Sequence, residues 1–82
     1  MAKFTYVYIL VSEADPTRYY VGRTDDLEDR LRRHNAGEVS YTSDHRPWKI
    51  NVAIAFHDRT KAIDFEKYLK THSGRAFANR HF

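Results

Sequence analysis

From Phe4 to Val11 the chain is dense in β-branched and aromatic residues, a composition that fits a strand. At a period of two, Val7, Ile9 and Val11 share one face, and Phe4, Tyr6, Tyr8 and Leu10 share the other. The polar run Ser12-Glu13-Ala14-Asp15-Pro16-Thr17 reads as a turn. Arg18 to Arg23 reads as a second short strand, and so short a connection predicts an antiparallel hairpin. If Val21 lies on the Val7 and Ile9 side, Tyr20 comes to the side of Tyr8.

Thr24 to Gly37 carries the marks of a helix. Thr24 or Asp25 can cap its free amides, and Asp25 with Glu28 has capping-box spacing. Acids crowd its first turns and bases its last, as the helix dipole prefers, and Gly37 suits the position just past the end. Glu38 to Pro47 reads as a loop. Trp48 to His57 alternates again, with Ile50, Val52, Ile54 and Phe56 on one side, and is a third strand. Asp58-Arg59-Thr60 leads into a second helix from Lys61 to about His72, stopped by Gly74. Arg75 to Phe82 reads as a short last helix that packs Phe77 and Phe82 back onto the body. The expected architecture is α+β: a three-stranded antiparallel sheet flanked by helices, in the order β-β-α-β-α-α. No linker, repeat or low-complexity segment divides the chain, so residues 1–82 are expected to form a single domain.

Two charged residues interrupt the apolar helix stripes. In the first helix Leu27, Leu31 and His34 form the inward stripe, and Arg30 falls within it. In the second helix Ala62, Phe65 and Leu69 form the stripe, and Glu66 lies among them. A buried carboxylate is unfavourable unless paired, hydrogen-bonded or metal-bound. Cation, acid and phenol converging on one sheet suit the cleavage of a phosphodiester. Each residue also has a plainer reading. Arg30 can snorkel from the stripe's edge, Glu66 can pair with Lys70 or with Arg30, and tyrosine favours strands in any case.

Composition narrows the setting. Eighty-two residues allow one small core, and 41% hydrophobic with 15% aromatic content excludes a disordered chain. The absence of cysteine excludes disulfides and thiolate metal sites, and with no targeting or lipidation signal in view a reducing cytoplasm is the expected location. Lys3, the run Phe4–Val11 and Ser12-Glu13-Ala14 loosely imitate a signal peptide, but Thr5, Tyr6 and Tyr8 break the run, and a strand explains it better. No stretch approaches a membrane span. Lys+Arg 14 against Asp+Glu 11 gives a net charge of +3, which permits a polyanionic partner without requiring one. His34, His45, His57, His72 and His81 show no ligand spacing, and there is neither a glycine-rich phosphate loop nor a G-x-S-x-G elbow.

Tyr6-Val7-Tyr8 and Tyr20-Val21-Gly22 occupy the first two strands, followed by Thr24, Leu27, Arg30 and His34, then Glu66 within Phe65-Glu66-Lys67-Tyr68-Leu69-Lys70, and Asn79 near the end. This order resembles the GIY-YIG nuclease superfamily over essentially the whole chain, and in particular its short stand-alone bacterial members. The first triplet departs from the pattern by starting with Tyr6 in place of glycine. Arg23 stands where some repair nucleases of the superfamily carry lysine.

The resemblance implies hydrolysis of DNA phosphodiesters with Mg²⁺ or Mn²⁺ and no small-molecule cofactor. It implies that Glu66 is the sole protein metal ligand, Arg30 holds the scissile phosphate, Tyr20 is the general base, Tyr8 assists it, and His34 orients or relays protons. A phenol ordinarily titrates near 10, so Tyr20 would need a nearby cation, which Arg23 or the metal would provide. Arg23, Arg32, Arg33, Arg46, Lys70, Arg75, Asn79 and Arg80 are the candidate DNA contacts. The chain would act as a monomer or homodimer, away from membranes. Three functions stay in view: a metal-dependent endonuclease, including a structure-directed nickase; an inactive nucleic-acid-binding module on the same fold; and an interaction domain in which Arg30 and Glu66 form a structural ion pair.

Overall fold

The computed structural model describes residues 3–82. The elements are β1 (Thr5–Ser12), β2 (Tyr19–Thr24), α1 (Leu27–Asn35), a 3-10 helix η1 (Ser40–His45), β3 (Trp48–Phe56), α2 (Arg59–Leu69) and α3 (His72–His81). The strands form one antiparallel sheet in the order β2-β1-β3, so the first strand is central. The expected β-β-α-β-α-α order is present, with η1 added inside the segment read as a loop.

The hairpin register decides which side chains meet. Ile9 stands opposite Val21, Leu10 opposite Tyr20, and Tyr8 opposite Gly22. Val7, Ile9 and Val21 therefore face one way and join Ala62 and Leu69 in a core covered by α2 and α3. Tyr8 and Leu10 face the other way, with Trp48, and Tyr20, Leu27 and Leu31 pack against them. Gly22 has a local reason: a Cβ at this position would collide with the Tyr8 hydroxyl and crowd the Tyr20 ring. The glycine of the second triplet thus makes room for the phenol of the first.

Local expectations at the helix ends are corrected. The cap of α1 is Asp26, whose carboxylate accepts from the Asp29 amide at 3.0 Å, and neither Thr24 nor Asp25 takes that role. Asp25 instead accepts from the Thr5 hydroxyl and from Arg59, tying the start of α2 to the sheet. Gly74 does not stop the second helix. That helix ends at Leu69, and Gly74 is buried in the first turn of α3, where its amide donates to the Thr71 cap.

The alternation of β3 is also interrupted. Val52 pairs with Ile9 but Ile50 pairs with Leu10, so the ladder carries a bulge at Asn51. The extra residue turns Ile50 out of the row of Val52, Ile54 and Phe56. It also brings Trp48, opposite Ser12, to the side of Tyr8. Among the described residues, no helix is long and apolar enough to cross a membrane.

Candidate active site

Tyr8 lies at the centre of the site because β1 is the middle strand. It is 1% exposed, and its hydroxyl has two neighbours from α1. Arg30 Nε donates to Tyr8 Oη at 3.3 Å, and His34 Nε2 lies 3.1 Å from the same oxygen. Arg30 and His34 are four residues apart, so one helix face presents both. The Tyr20 ring comes from the neighbouring strand, with its centroid 6.4 Å from that of Tyr8 and 4.9 Å from that of His34. Both phenols act on Arg30 and strengthen its hold on its proton, Tyr8 more than Tyr20. The expected convergence of Tyr8, Tyr20, Arg30 and His34 is therefore present.

The electrostatics follow from burial. Desolvation pushes the Tyr8 phenol above its ordinary 10, against the opposing pull of the Arg30 hydrogen bond and charge. Desolvation, with the Arg30 charge second, lowers His34 from 6.5 to about 4. Tyr8 and His34 are thus a neutral pair at pH 7.

A stability consequence can be measured. Because the folded-state value of His34 is depressed, its contribution is fully present above pH 6.5. It is lost as the pH falls towards 4, where the unfolded chain binds a proton that the folded one refuses. The loss should reach at most about 3 kcal/mol. Chemical denaturation of wild type and His34→Gln at steps from pH 7.5 to 4 checks this. The wild type should lose stability more steeply, and parallel curves would refute it.

Glu66 enters from α2, with its side chain only 16% exposed. Arg23 Nε reaches Oε1 at 3.2 Å, and Lys70 Nζ reaches Oε2 at 3.2 Å. The suggested Arg30–Glu66 ion pair is therefore corrected: Arg30 bonds to Tyr8, and Glu66 belongs to Arg23 and Lys70. Arg23 is also corrected as the cation beside Tyr20. It alternates with Tyr20 along β2 and points to the α2 side, and Arg30 takes its place. The Glu66 charge is nonetheless felt at Tyr8, opposing ionisation of the phenol. Glu66 can accept a metal ion, since a carboxylate offers about four lone-pair positions and only two are used. Among the described residues no three His, Cys, Asp or Glu side chains gather as a metal site. An ion at Glu66 would take most of its ligands from water and substrate, as magnesium tolerates.

The candidate DNA contacts divide into groups. Arg32 and Arg33 lie on the outer face of α1 and pair with Asp29 at 2.9 and 2.7 Å. Arg46 donates to the Ser43 carbonyl. Lys70 and Arg75, with Tyr19, Tyr20, Tyr41 and Leu69, line an open groove of about 640 Å³ beside β2. Asn79 lines a smaller cavity of about 190 Å³ that shares Arg75. Arg80 lies in the last turn of α3. Sequence reasoning missed Thr42 and Trp48 as parts of the site. Thr42 Oγ1 lies 2.8 Å from His34 Nδ1, and the Trp48 indole donates to the Thr42 carbonyl at 2.7 Å. Thr42 sits in no periodic pattern, and the bulge at Asn51 moves Trp48 off the face that the alternation of β3 assigns to it.

Phenols, guanidinium and imidazole meet on one side of a hairpin in a small α+β domain, with a carboxylate at its edge. The chain belongs to the GIY-YIG family: the model of the GIY-YIG catalytic domain matches residues 4–80. It is similar to the structure-specific endonuclease subunit SLX1 of Meyerozyma guilliermondii, 41% identical over 75 residues. That match covers 83% of this chain but only 25% of the relative, so the chain spans about a quarter of that protein. The UPF0213 protein of Haloquadratum walsbyi is 33% identical over 69 residues, covering 83% of this chain and 78% of the relative. The UPF0213 protein of Lacticaseibacillus paracasei is 35% identical over 71 residues, covering 85% and 79%.

Proposed function

We propose that this domain is a divalent-metal-dependent endonuclease that hydrolyses DNA phosphodiester bonds, one strand at a time. The observation that carries this reading is the joining of Arg30 to the paired phenols, with Glu66 at the edge of the same hairpin. A module that only binds DNA gains nothing from a half-buried carboxylate, which repels phosphate.

Arg30 uses Nε on Tyr8 and keeps its terminal nitrogens for two oxygens of the scissile phosphate, a match of fork to fork. Tyr20 is the general base, taking a proton from the attacking water at its phenolic oxygen with Arg30 beside it. Tyr8 accepts a hydrogen bond from that water and aligns it. His34, neutral at pH 7, holds the Tyr8 hydroxyl in place. Glu66 would hold Mg²⁺ or Mn²⁺, and such an ion would supply Lewis-acid stabilisation of the charge that develops on the leaving oxygen. Lys70 and Arg75 follow the DNA backbone along the tyrosine-lined groove. A single such site cuts one strand, so a monomer nicks, and a double-strand break needs two copies. The reading favours a cytoplasmic protein.

The test is conversion of supercoiled plasmid to open circle by the purified wild-type chain. Mg²⁺ or Mn²⁺ should support nicking, and excess EDTA should stop it while leaving DNA binding measurable by gel shift. Nicking that survives EDTA would refute the metal requirement. Binding without nicking under any divalent ion would favour an inactive binding module.

A further inference from the structure

Hydrogens can be counted through the buried polar chain behind Tyr8. Thr42 and His34 are each 0% exposed, and among the described residues no buried side-chain polar atom lacks a partner. Thr42 Oγ1 lies 3.2 Å from the Val39 carbonyl, which can only accept, so the threonine hydroxyl donates there. The same oxygen then accepts from His34 Nδ1 at 2.8 Å, which puts the imidazole proton on Nδ1. His34 Nε2 is left as an acceptor, and the Tyr8 hydroxyl donates to it at 3.1 Å. Tyr8 Oη in turn receives the Arg30 N–H. Every hydrogen has an acceptor in this arrangement. In the opposite tautomer, Nε2 would donate to Tyr8, and the Tyr8 hydrogen would need an acceptor that none of these bonds provides.

The segment carrying Thr42 is pinned from several sides. Its amide donates to Val39 at 3.1 Å, and its carbonyl receives the Trp48 indole at 2.7 Å. Asn35 of α1 bonds both the amide and the carbonyl of Trp48, at 2.6 and 3.0 Å. Ser12 of β1 donates to the His45 carbonyl at 2.6 Å. Such anchoring restrains the Thr42 side chain, as a positioning group requires.

We infer that Thr42 is a positioning residue that fixes His34 as the Nδ1–H tautomer and thereby commits Tyr8 to accept, rather than donate, toward the attacking water. The tautomer stands on the buried geometry alone, and its consequence for cleavage rests on the nuclease reading. With its hydrogen on His34 and one lone pair on Arg30, Tyr8 has one lone pair left for the water. With the other tautomer, Tyr8 would offer that water its hydrogen and point the nucleophile's lone pair away from phosphorus. The groups facing His34 are Tyr8 from β1, Tyr20 from β2, Arg30 from its own helix and Thr42 from η1.

The test compares wild type, Thr42→Val and Thr42→Ser. Nitrogen NMR of the histidine rings at pH 7 reads which nitrogen of His34 carries the proton, and plasmid nicking and DNA gel shift read function. Wild type and Thr42→Ser should show Nδ1–H and nick within about threefold of each other, the loss of a methyl being small beside a retained hydrogen bond. Thr42→Val should move His34 towards Nε2–H and slow nicking about 10²-fold, the scale of a misplaced acid–base group, with DNA affinity unchanged. A wild-type His34 found as Nε2–H, or a Thr42→Val protein that keeps Nδ1–H, overturns the inference. So does a switched tautomer with wild-type nicking. If Thr42→Val does not fold, the wild-type and Thr42→Ser spectra still decide the tautomer. A wild type that nicks no DNA yet shows Nδ1–H defeats the nuclease reading and leaves the assignment of Thr42 standing.

Discussion

Glu66→Gln should reduce DNA nicking by about 10³-fold or more, while DNA binding in EDTA stays as tight as wild type or becomes tighter. The size follows from the proposed role: a ligand that places a Lewis acid on the leaving oxygen would be worth several kcal/mol of transition-state stabilisation, and each 1.4 kcal/mol is about a factor of ten. The direction of the binding change follows from charge. Glutamine keeps the shape and an acceptor oxygen for Arg23 or Lys70, but it removes a negative charge beside the groove. Lys70, released from its carboxylate, becomes available to a phosphate, so the salt dependence of binding should steepen by up to about one log unit per log salt. The melting temperature should move little, because the Lys70 partner is 54% exposed and glutamine keeps an acceptor oxygen for the part-buried Arg23. Plasmid nicking, gel shifts across a salt series and a melting curve check the three parts. Wild-type nicking by Glu66→Gln would show that the carboxylate is not the metal ligand, and loss of binding together with folding would show a structural role.

Arg30→Ala should reduce nicking by about 10²–10³-fold, the range for removing one preorganised donor from a developing anion. Arg30→Lys should restore little of it. A lysine ammonium is a point charge without the planar fork, and it cannot bond to Tyr8 while presenting two parallel donors to a phosphate. Tyr8 keeps its bond to His34 in both variants, so the stability loss should be about 1 kcal/mol, roughly 5 °C for a domain of this size. Arg30→Ala also removes the cation that opposes ionisation of His34, so the His34 value should rise from about 4 towards the ordinary range. A pH titration of the His34 ring by NMR reads that shift independently of cleavage. An unchanged titration would mean that the Arg30 charge does not reach the imidazole, and full rescue by Arg30→Lys would rule out bidentate phosphate binding.

Much of the frame can be read without coordinates, for identifiable reasons. A strand with a period of two and a six-residue turn leaves few alternatives, so the hairpin follows from spacing, whereas the sharing of a face by Tyr8 and Tyr20 needed the register that pairs Ile9 with Val21. The inward positions of Arg30 and Glu66 follow from helical period in the same way. The Lys70 partner of Glu66, four residues on, followed too, but the long-range partners did not. A period says which face a residue occupies and nothing about which neighbour crosses to meet it. Arg30 thus reads equally well as the partner of Glu66 or of a phenol until α1 and α2 are seen on opposite faces of the sheet. The Asp26 cap, the Gly74 position and the bulge at Asn51 were out of reach because each depends on a shift of one to three residues.

What the sequence determined by itself is the fold class, the family pattern and the set of chemical groups: two phenols, a guanidinium, an imidazole and a carboxylate in order along the chain. Those depend on local spacing, which the backbone translates directly into faces. The tertiary structure decided which of those groups touch. It gave Arg30 to Tyr8, gave Glu66 to Arg23 and Lys70, and brought Thr42 from an apparent loop to the back of His34. Apart from the Glu66–Lys70 pair, which is four positions apart, these contacts join residues 8 to 43 positions apart, and only tertiary packing brings them within hydrogen-bonding distance.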